Sequence, residues 1–179
     1  AISVASPRLI DRRIRPFTQL LEACETRLAD VVAGHTDLLS GPASQTLAAG
    51  GKRLRPLLVF CSAPDRRSNQ QALVSAASAV ELVHMATLVH DDIIDHAALR
   101  RGRPTVAQAQ GPDVALRVGD FLFARAFAEL THTGHSRAVQ ALAASALDLS
   151  RGELLQQAAE HDLDLTEQAY LKRCWGKTA

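Results

Sequence analysis

Aromatic residues are scarce in this chain of 179 residues, at 4% of the whole, with one Trp and one Tyr. Beside a hydrophobic content of 47%, much of it Ala and Leu, that scarcity favours helices over sheets. Neither sign of charge is in excess. Twenty Lys and Arg stand against 19 Asp and Glu, so the global field gives no reason for a nucleic acid or an anionic membrane surface as partner. Cysteine is limited to Cys24, Cys61 and Cys174, an odd and widely spaced set. That spacing excludes a zinc-site or disulfide-scaffold pattern and reads as reduced core thiols in a cytoplasmic protein. No uninterrupted apolar run reaches the roughly 18 residues of a transmembrane helix. The opening AISVASPRLIDRR lacks the apolar stretch of a signal peptide. No repeat, low-complexity tract or linker interrupts the chain, and its length suits a single domain over residues 1–179.

What is present is helical periodicity. Ile10, Ile14, Phe17, Leu21, Cys24, Leu28 and Val31 alternate steps of four and three, which puts one apolar stripe on a first helix. GHTDLLSGPAS reads as a breaker-rich connection, and a second helix is expected to start at Pro56. From Gln70 to about Ala98 the chain is Ala, Val and Leu with few charges, which predicts a long central helix. Asp113 is the expected N-cap of VALRVGDFLFARAFAEL. Another helix is expected over Arg137 to His161, and Asp164 with Glu167 suggests a capping box for a last one. No segment alternates as a strand does, so the predicted fold class is all-α, a bundle of about six helices round the apolar one.

One stretch breaks the apolar pattern. ELVHMATLVHDDIIDHAALRRGRPTV ends a greasy helix in three aspartates and follows them with three arginines. At about 100° per residue Asp95 falls about 40° and Asp92 about 100° from Asp91, with His84 about 20° away. Carboxylates so close repel one another and oppose the helix macrodipole, so they call for a cation. Oxygen-only ligands suit Mg²⁺, which takes a few carboxylates, water and a substrate's phosphates. GGKRLRP supplies Lys52, Arg53 and Arg55 beside two glycines at a helix start, and RRGRP supplies Arg100, Arg101 and Arg103. Two basic clusters flanking an acidic one suggest two anionic ligands, one bridged by metal and one held directly by the bases. His90, His96 and the remaining histidines read as ordinary structural ones.

GGKRLRP, ELVHMATLVHDDIID, LRRGRPTV, GDFLFARA, GELLQQ and the final KTA, in this order and spacing, resemble the trans-isoprenyl diphosphate synthases of the polyprenyl synthetase family. The resemblance implies an all-α bundle around a central cavity, usually homodimeric. It also implies Mg²⁺-dependent condensation of isopentenyl diphosphate with an allylic prenyl diphosphate. Asp91 and Asp95 would be the metal ligands, with Asp92 the second position of the same motif. Lys52, Arg55, His84 and Arg101 match positions that hold isopentenyl diphosphate. Arg100, Lys177 and Thr178 match positions on the allylic diphosphate, and Gln156 falls near a family glutamine. Below the aspartates Ala86, Thr87, Val83 and Val80 are small, where bulky aromatics stop elongation early in the family. HMATLVHDD is similar to medium- and long-chain synthases, and the expected product is longer than C20. A terpene cyclase shares DDxxD, but it has no second diphosphate to justify GGKRLRP and RRG.

The sequence departs from that pattern in one respect: the family's second aspartate-rich motif does not follow Asp95. HDLDLTE is acidic but lies too close to the first motif and reads as cap and surface. The expectation is therefore the N-terminal portion of the synthase fold, catalytically incomplete alone. It would be a fragment, a half-protein needing a partner subunit, or a prenyl-diphosphate-binding subunit.

Overall fold

A computed structural model describes residues 15–33, 39–64 and 69–178. The chain divides into two compact units, Ala1–Gly134 and His135–Ala179.

In the first unit a 3₁₀ turn, Arg15–Phe17, leads into α1 (Thr18–Ala33). Of the predicted stripe, Phe17, Cys24, Leu28 and Val31 are buried, Leu21 is half-buried while its neighbour Leu20 takes the buried position, and Ile10 and Ile14 lie outside the described residues. Helices α2 (Ser40–Ala48) and α3 (Leu54–Ser62) follow. The first of these was expected to be a connection. Its Gly41 and Pro42 sit in the first turn, where the N–H that proline lacks needs no intrahelical partner. The second begins two residues before Pro56.

Helix α4 (Gln70–Ile94) is the axis of the unit, packed against α1, α3 and α6. Asn69 caps it, its Oδ1 accepting from the Ala72 N–H at 3.0 Å. It ends earlier than Ala98, because Asp95 is already the C-cap. In length and composition α4 could cross a membrane, although polar residues interrupt its apolar run. Its apolar content is a core face here: Ala77, Ala79, Leu82 and Ala86 are fully buried. Such a buried leucine contributes about 1.5–3 kcal/mol.

Beyond α4 the chain forms a pair of strands that the sequence did not announce, β1 (Leu99–Arg100) and β2 (Arg103–Pro104), antiparallel. Arg101 and Gly102 between them have φ of 53° and 76°, the positive pair of a type I′ hairpin turn. Thr105 closes the hairpin base, its N–H on the Ala98 carbonyl at 3.1 Å and its Oγ1 on the Ala97 carbonyl at 2.7 Å. Thr105 also caps the short α5 (Val106–Gln110), accepting from the Gln108 N–H.

Helix α6 (Pro112–Thr131) starts with Gly111 as N-cap and Pro112 in its first turn. Asp113 therefore lies one residue inside the helix, where its charge complements the dipole instead of capping. The α4–α6 contact is the most extensive in the fold. It depends on a missing side chain: a Cβ on Gly119 would stand 2.1 Å from Nε2 of His90. His90 fills that gap, 3.1 Å from the Leu116 carbonyl and tilted against Phe123, which is the structural role its sequence context suggested.

The second unit is a pair of packed helices, α7 (Ser136–Ala158) and α8 (Glu167–Thr178). Thr166, not Asp164, caps α8, its Oγ1 accepting from the Ala169 N–H at 3.2 Å.

Of the three thiols only Cys24 is a core residue; Cys61 is exposed and Cys174 half-buried. Burial pushes the Cys24 thiol up to about 11, so it stays protonated and inert.

Candidate functional site

The second half of α4, the loop before α3 and the β1–β2 hairpin line a cavity of about 310 Å³ in the first unit. His84, Asp92, Arg100 and Arg101 all line it. A larger open groove of about 1060 Å³ lies near the start of α4, lined by Gln70, Gln71 and Val74, and holds none of the residues expected to act.

His84 records how much positive charge the fold gathers. Its imidazole is drawn down to about 4, first by burial and then by Arg55, Arg101, Arg100 and Arg53. Four guanidinium groups from two segments therefore act on one half-buried ring that stays neutral at physiological pH. Among the described residues nothing hydrogen-bonds or ion-pairs with the side chains of Lys52, Arg55 or Arg101, and all three are exposed. Lys52 and Arg55 stand at the start of α3 and do not line the cavity itself.

The three aspartates have different fates. Asp92 is buried and accepts from both Nε and Nη2 of Arg100, each at 2.8 Å from Oδ1. Burial raises its pKa, against the lowering effect of Arg100. The three carboxylates therefore do not form one open cluster: Asp92 turns inward and holds an arginine. Asp91 is half-buried and Asp95 exposed, one helical turn apart at the end of α4. Among the described residues no three His, Cys, Asp or Glu side chains converge to enclose a metal. Two hard-oxygen donors with a substrate's phosphates and water are nevertheless what Mg²⁺ accepts, so Asp91 and Asp95 fit it.

Arg53 likewise departs from expectation. Instead of facing a ligand, it bonds the buried Glu81 through Nη1 at 3.0 Å and grips Glu25 with Nε and Nη2. Its backbone is left-handed, with φ 49°, and it offers no side-chain cap to α3. Sequence reasoning passed over Glu81, although it is the only acid between Gln70 and His90. A lone carboxylate within an apolar helix signals a buried cationic partner.

The positions expected to govern chain length lie away from the cavity. Ala86 is wholly within the core, Val83 packs against it, and Val80 and Thr87 are half-buried.

In the second unit Lys177 reaches Glu153 at 2.6 Å and Gln156 at 3.0 Å, so GELLQQ and the final KT meet on adjacent helices. The helices touch at Gly152, where a Cβ would be 2.5 Å from the Lys177 nitrogen, and at Gly176. The helix runs unbroken through Trp175 and Gly176 to Thr178, and Gly176 serves the close approach. The side chain of Thr178 lies outside the described residues.

A helical bundle with this cavity defines an isoprenoid-synthase type of fold, and comparison with known proteins agrees. The polyprenyl synthetase family model matches residues 36–179. The chain belongs to the polyprenyl synthetase family. It is 40% identical over 159 residues to heptaprenyl diphosphate synthase component 2 of Geobacillus stearothermophilus, covering 89% of this chain and 50% of that protein. It is 34% identical to an all-trans-nonaprenyl-diphosphate synthase of Rhodobacter capsulatus, covering 93% of this chain and 51% of the relative. A polyprenyl synthase from Caulobacter crescentus, solved with calcium and isoprenyl diphosphate, superposes with a TM-score of 0.85 at 34% identity, over 95% of this chain and 52% of that one. The chain spans about half the length of the curated relatives it matches.

Proposed function

We propose that the chain forms the substrate-binding half of a prenyltransferase that condenses isopentenyl diphosphate with an allylic prenyl diphosphate. The observation that carries this is the single cavity that joins His84, Arg100 and Arg101, with two free-standing bases, Lys52 and Arg55, at the neighbouring helix start. Two groups of cations beside an aspartate-bearing helix end suit two diphosphates better than one, which favours condensation over cyclisation.

In this reading Lys52, Arg55, His84 and Arg101 hold isopentenyl diphosphate. Arg100, oriented by Asp92, takes the allylic diphosphate, and Lys177, Thr178 and Gln156 are further diphosphate contacts. Asp91 and Asp95 would hold Mg²⁺, which when bound neutralises charge developing on the departing diphosphate. The charge of Arg100 does the same without reorganisation, because Asp92 fixes its position beforehand. Water exclusion by the apolar wall of Met85, Leu88 and Val89 protects the allylic cation from quenching. The neutral His84 donates or accepts a hydrogen bond without adding charge.

A product longer than C20 is supported by the heptaprenyl and nonaprenyl relatives. A partner subunit or a homodimer is supported by the "component 2" relative and by exposed Leu58, Leu154 and Trp175. The three unpaired thiols support a cytoplasmic location.

Calorimetric titration tests the reading. Isopentenyl diphosphate should bind with or without Mg²⁺ and lose affinity in Lys52→Ala. Farnesyl diphosphate should require Mg²⁺ and lose affinity in Asp91→Ala. Farnesyl diphosphate binding with no isopentenyl diphosphate binding would point to the cyclase instead. Turnover by the 179 residues alone would overturn the expectation that they are incomplete.

A further inference from the structure

We propose that Glu81 is a positioning residue for the anion-binding loop between Gly50 and Arg55, acting through Arg53. This rests on the diphosphate reading of that loop.

Glu81 is 4% exposed in the middle of an apolar helix. An isolated carboxylate there is costly, so its presence needs a partner and a purpose. Its partner is Arg53 Nη1 at 3.0 Å. The remaining guanidinium nitrogens of Arg53 go to Glu25 on α1 and to the Leu47 carbonyl at the end of α2. One side chain thus ties α1, α2 and α4 to the residue that precedes α3. That residue is held in a left-handed conformation, which is unfavourable for an arginine and persists only where the surroundings impose it.

The clamp adjoins the ligand-facing side. A Cβ on Gly51 would stand 2.8 Å from Arg53 Nη1 and 3.2 Å from Arg101 Nη1. The clamped guanidinium and the exposed one therefore both crowd the space that a side chain at residue 51 would fill. Glu81 and His84 are one turn apart on α4 and line the same cavity. The buried pair sets where the loop backbone runs, and so where Lys52, Arg55 and Arg101 stand relative to one another. Two carboxylates on Arg53 remove it from direct anion binding, leaving it a structural cation among functional ones.

The test compares wild type with Glu81→Gln, Arg53→Lys and the double variant, each checked for folding by urea denaturation. The lysine variant keeps the charge and loses the fork. Inorganic pyrophosphate and isopentenyl diphosphate are titrated calorimetrically in EDTA, where the bases bind alone, and farnesyl diphosphate is titrated with Mg²⁺. The expected result is a weakening on the order of tenfold for pyrophosphate and isopentenyl diphosphate in each single variant. No further loss is expected in the double variant, because both act through one link, and Mg²⁺-dependent farnesyl diphosphate binding should be unchanged. If wild type binds in EDTA and the variants bind equally well, the positioning role is wrong and the functional reading stands. Equal weakening of all three ligands would mean general damage and also overturn it. Failure of wild type to bind either ligand in EDTA overturns both the diphosphate reading and the inference.

Discussion

Arg100 is held by Asp92 through two nitrogens that converge on one carboxylate oxygen, each at 2.8 Å. The carboxylate is buried while the guanidinium keeps about a third of its surface in solvent, so the acid serves the arginine's orientation.

Replacing Asp92 by Asn should separate function from stability. Burial raises the pKa of Asp92 despite Arg100, so the ionised form is harder to keep in the folded chain than in the unfolded one. The sign follows: stability falls as pH rises through the unfolded and then the folded pKa, and an uncharged side chain escapes that loss. The urea midpoint of the variant at pH 7 should equal or exceed that of wild type. Farnesyl diphosphate binding in Mg²⁺ should weaken by about 10²-fold, since Arg100 is no longer aimed. A large drop in stability together with intact binding would contradict this assignment.

His84 gives a pH signature. Its folded pKa of about 4 lies below the unfolded value of about 6.5, so the unfolded chain takes up the proton first as pH falls. Its contribution to stability is present above about pH 6.5 and is lost between there and pH 4. Unfolding curves of wild type and His84→Gln should therefore differ in slope across that window and run parallel above it. Pyrophosphate should offset the arginines that depress the ring. In an NMR titration the His84 resonance should then titrate at higher pH with the anion present.

Gly119→Ala should destabilise the first unit. The added methyl meets His90 at 2.1 Å, and overpacking of this kind costs about 1–3 kcal/mol, partly offset by about 1 kcal/mol of helix propensity. Combining it with His90→Ala should cost less than the sum of the two single changes, because the clash disappears. Thermal denaturation of the four proteins measures this directly.

Gly152→Ala should act on the second unit. Its Cβ would sit 2.5 Å from the Lys177 nitrogen, forcing α7 and α8 apart and pulling Lys177 from Glu153 and Gln156. Amide hydrogen exchange should quicken in residues 167–178 and stay unchanged in α4.

The helices were legible because their evidence is local. The α1 stripe and the apolar run of α4 repeat at the helical period, and Asn69 caps where a cap residue stands. Helix α2 was missed because Gly41 and Pro42 read as breakers, although both fit a first turn. The hairpin was missed because two-residue strands carry no alternation, while its turn rests on Arg101 adopting a conformation more usual for Gly or Asn. In the site, residue types were legible and partners were not. That RRG and DDxxD contain opposite charges is plain in sequence. That Asp92 is buried on Arg100 while Asp91 is half-buried and Asp95 exposed depends on which way each turns at the helix end. Arg53 pairs with Glu25 and Glu81 across 28 residues in both directions, and no local rule connects them.

The glycine crossing at Gly152 and Gly176 also fixes how substitutions are tolerated along α8. Gly176 faces the Asp148 carbonyl and the Gly152 backbone, whereas its neighbour Trp175 is 76% exposed. Adjacent positions therefore live under opposite rules: one leaves little room for a side chain, and the other presents the largest of all outward. The lysine that follows takes its place from backbone meeting backbone. That contact has no rotamers to sample, so the location of Lys177 is settled before its own side chain chooses a conformation.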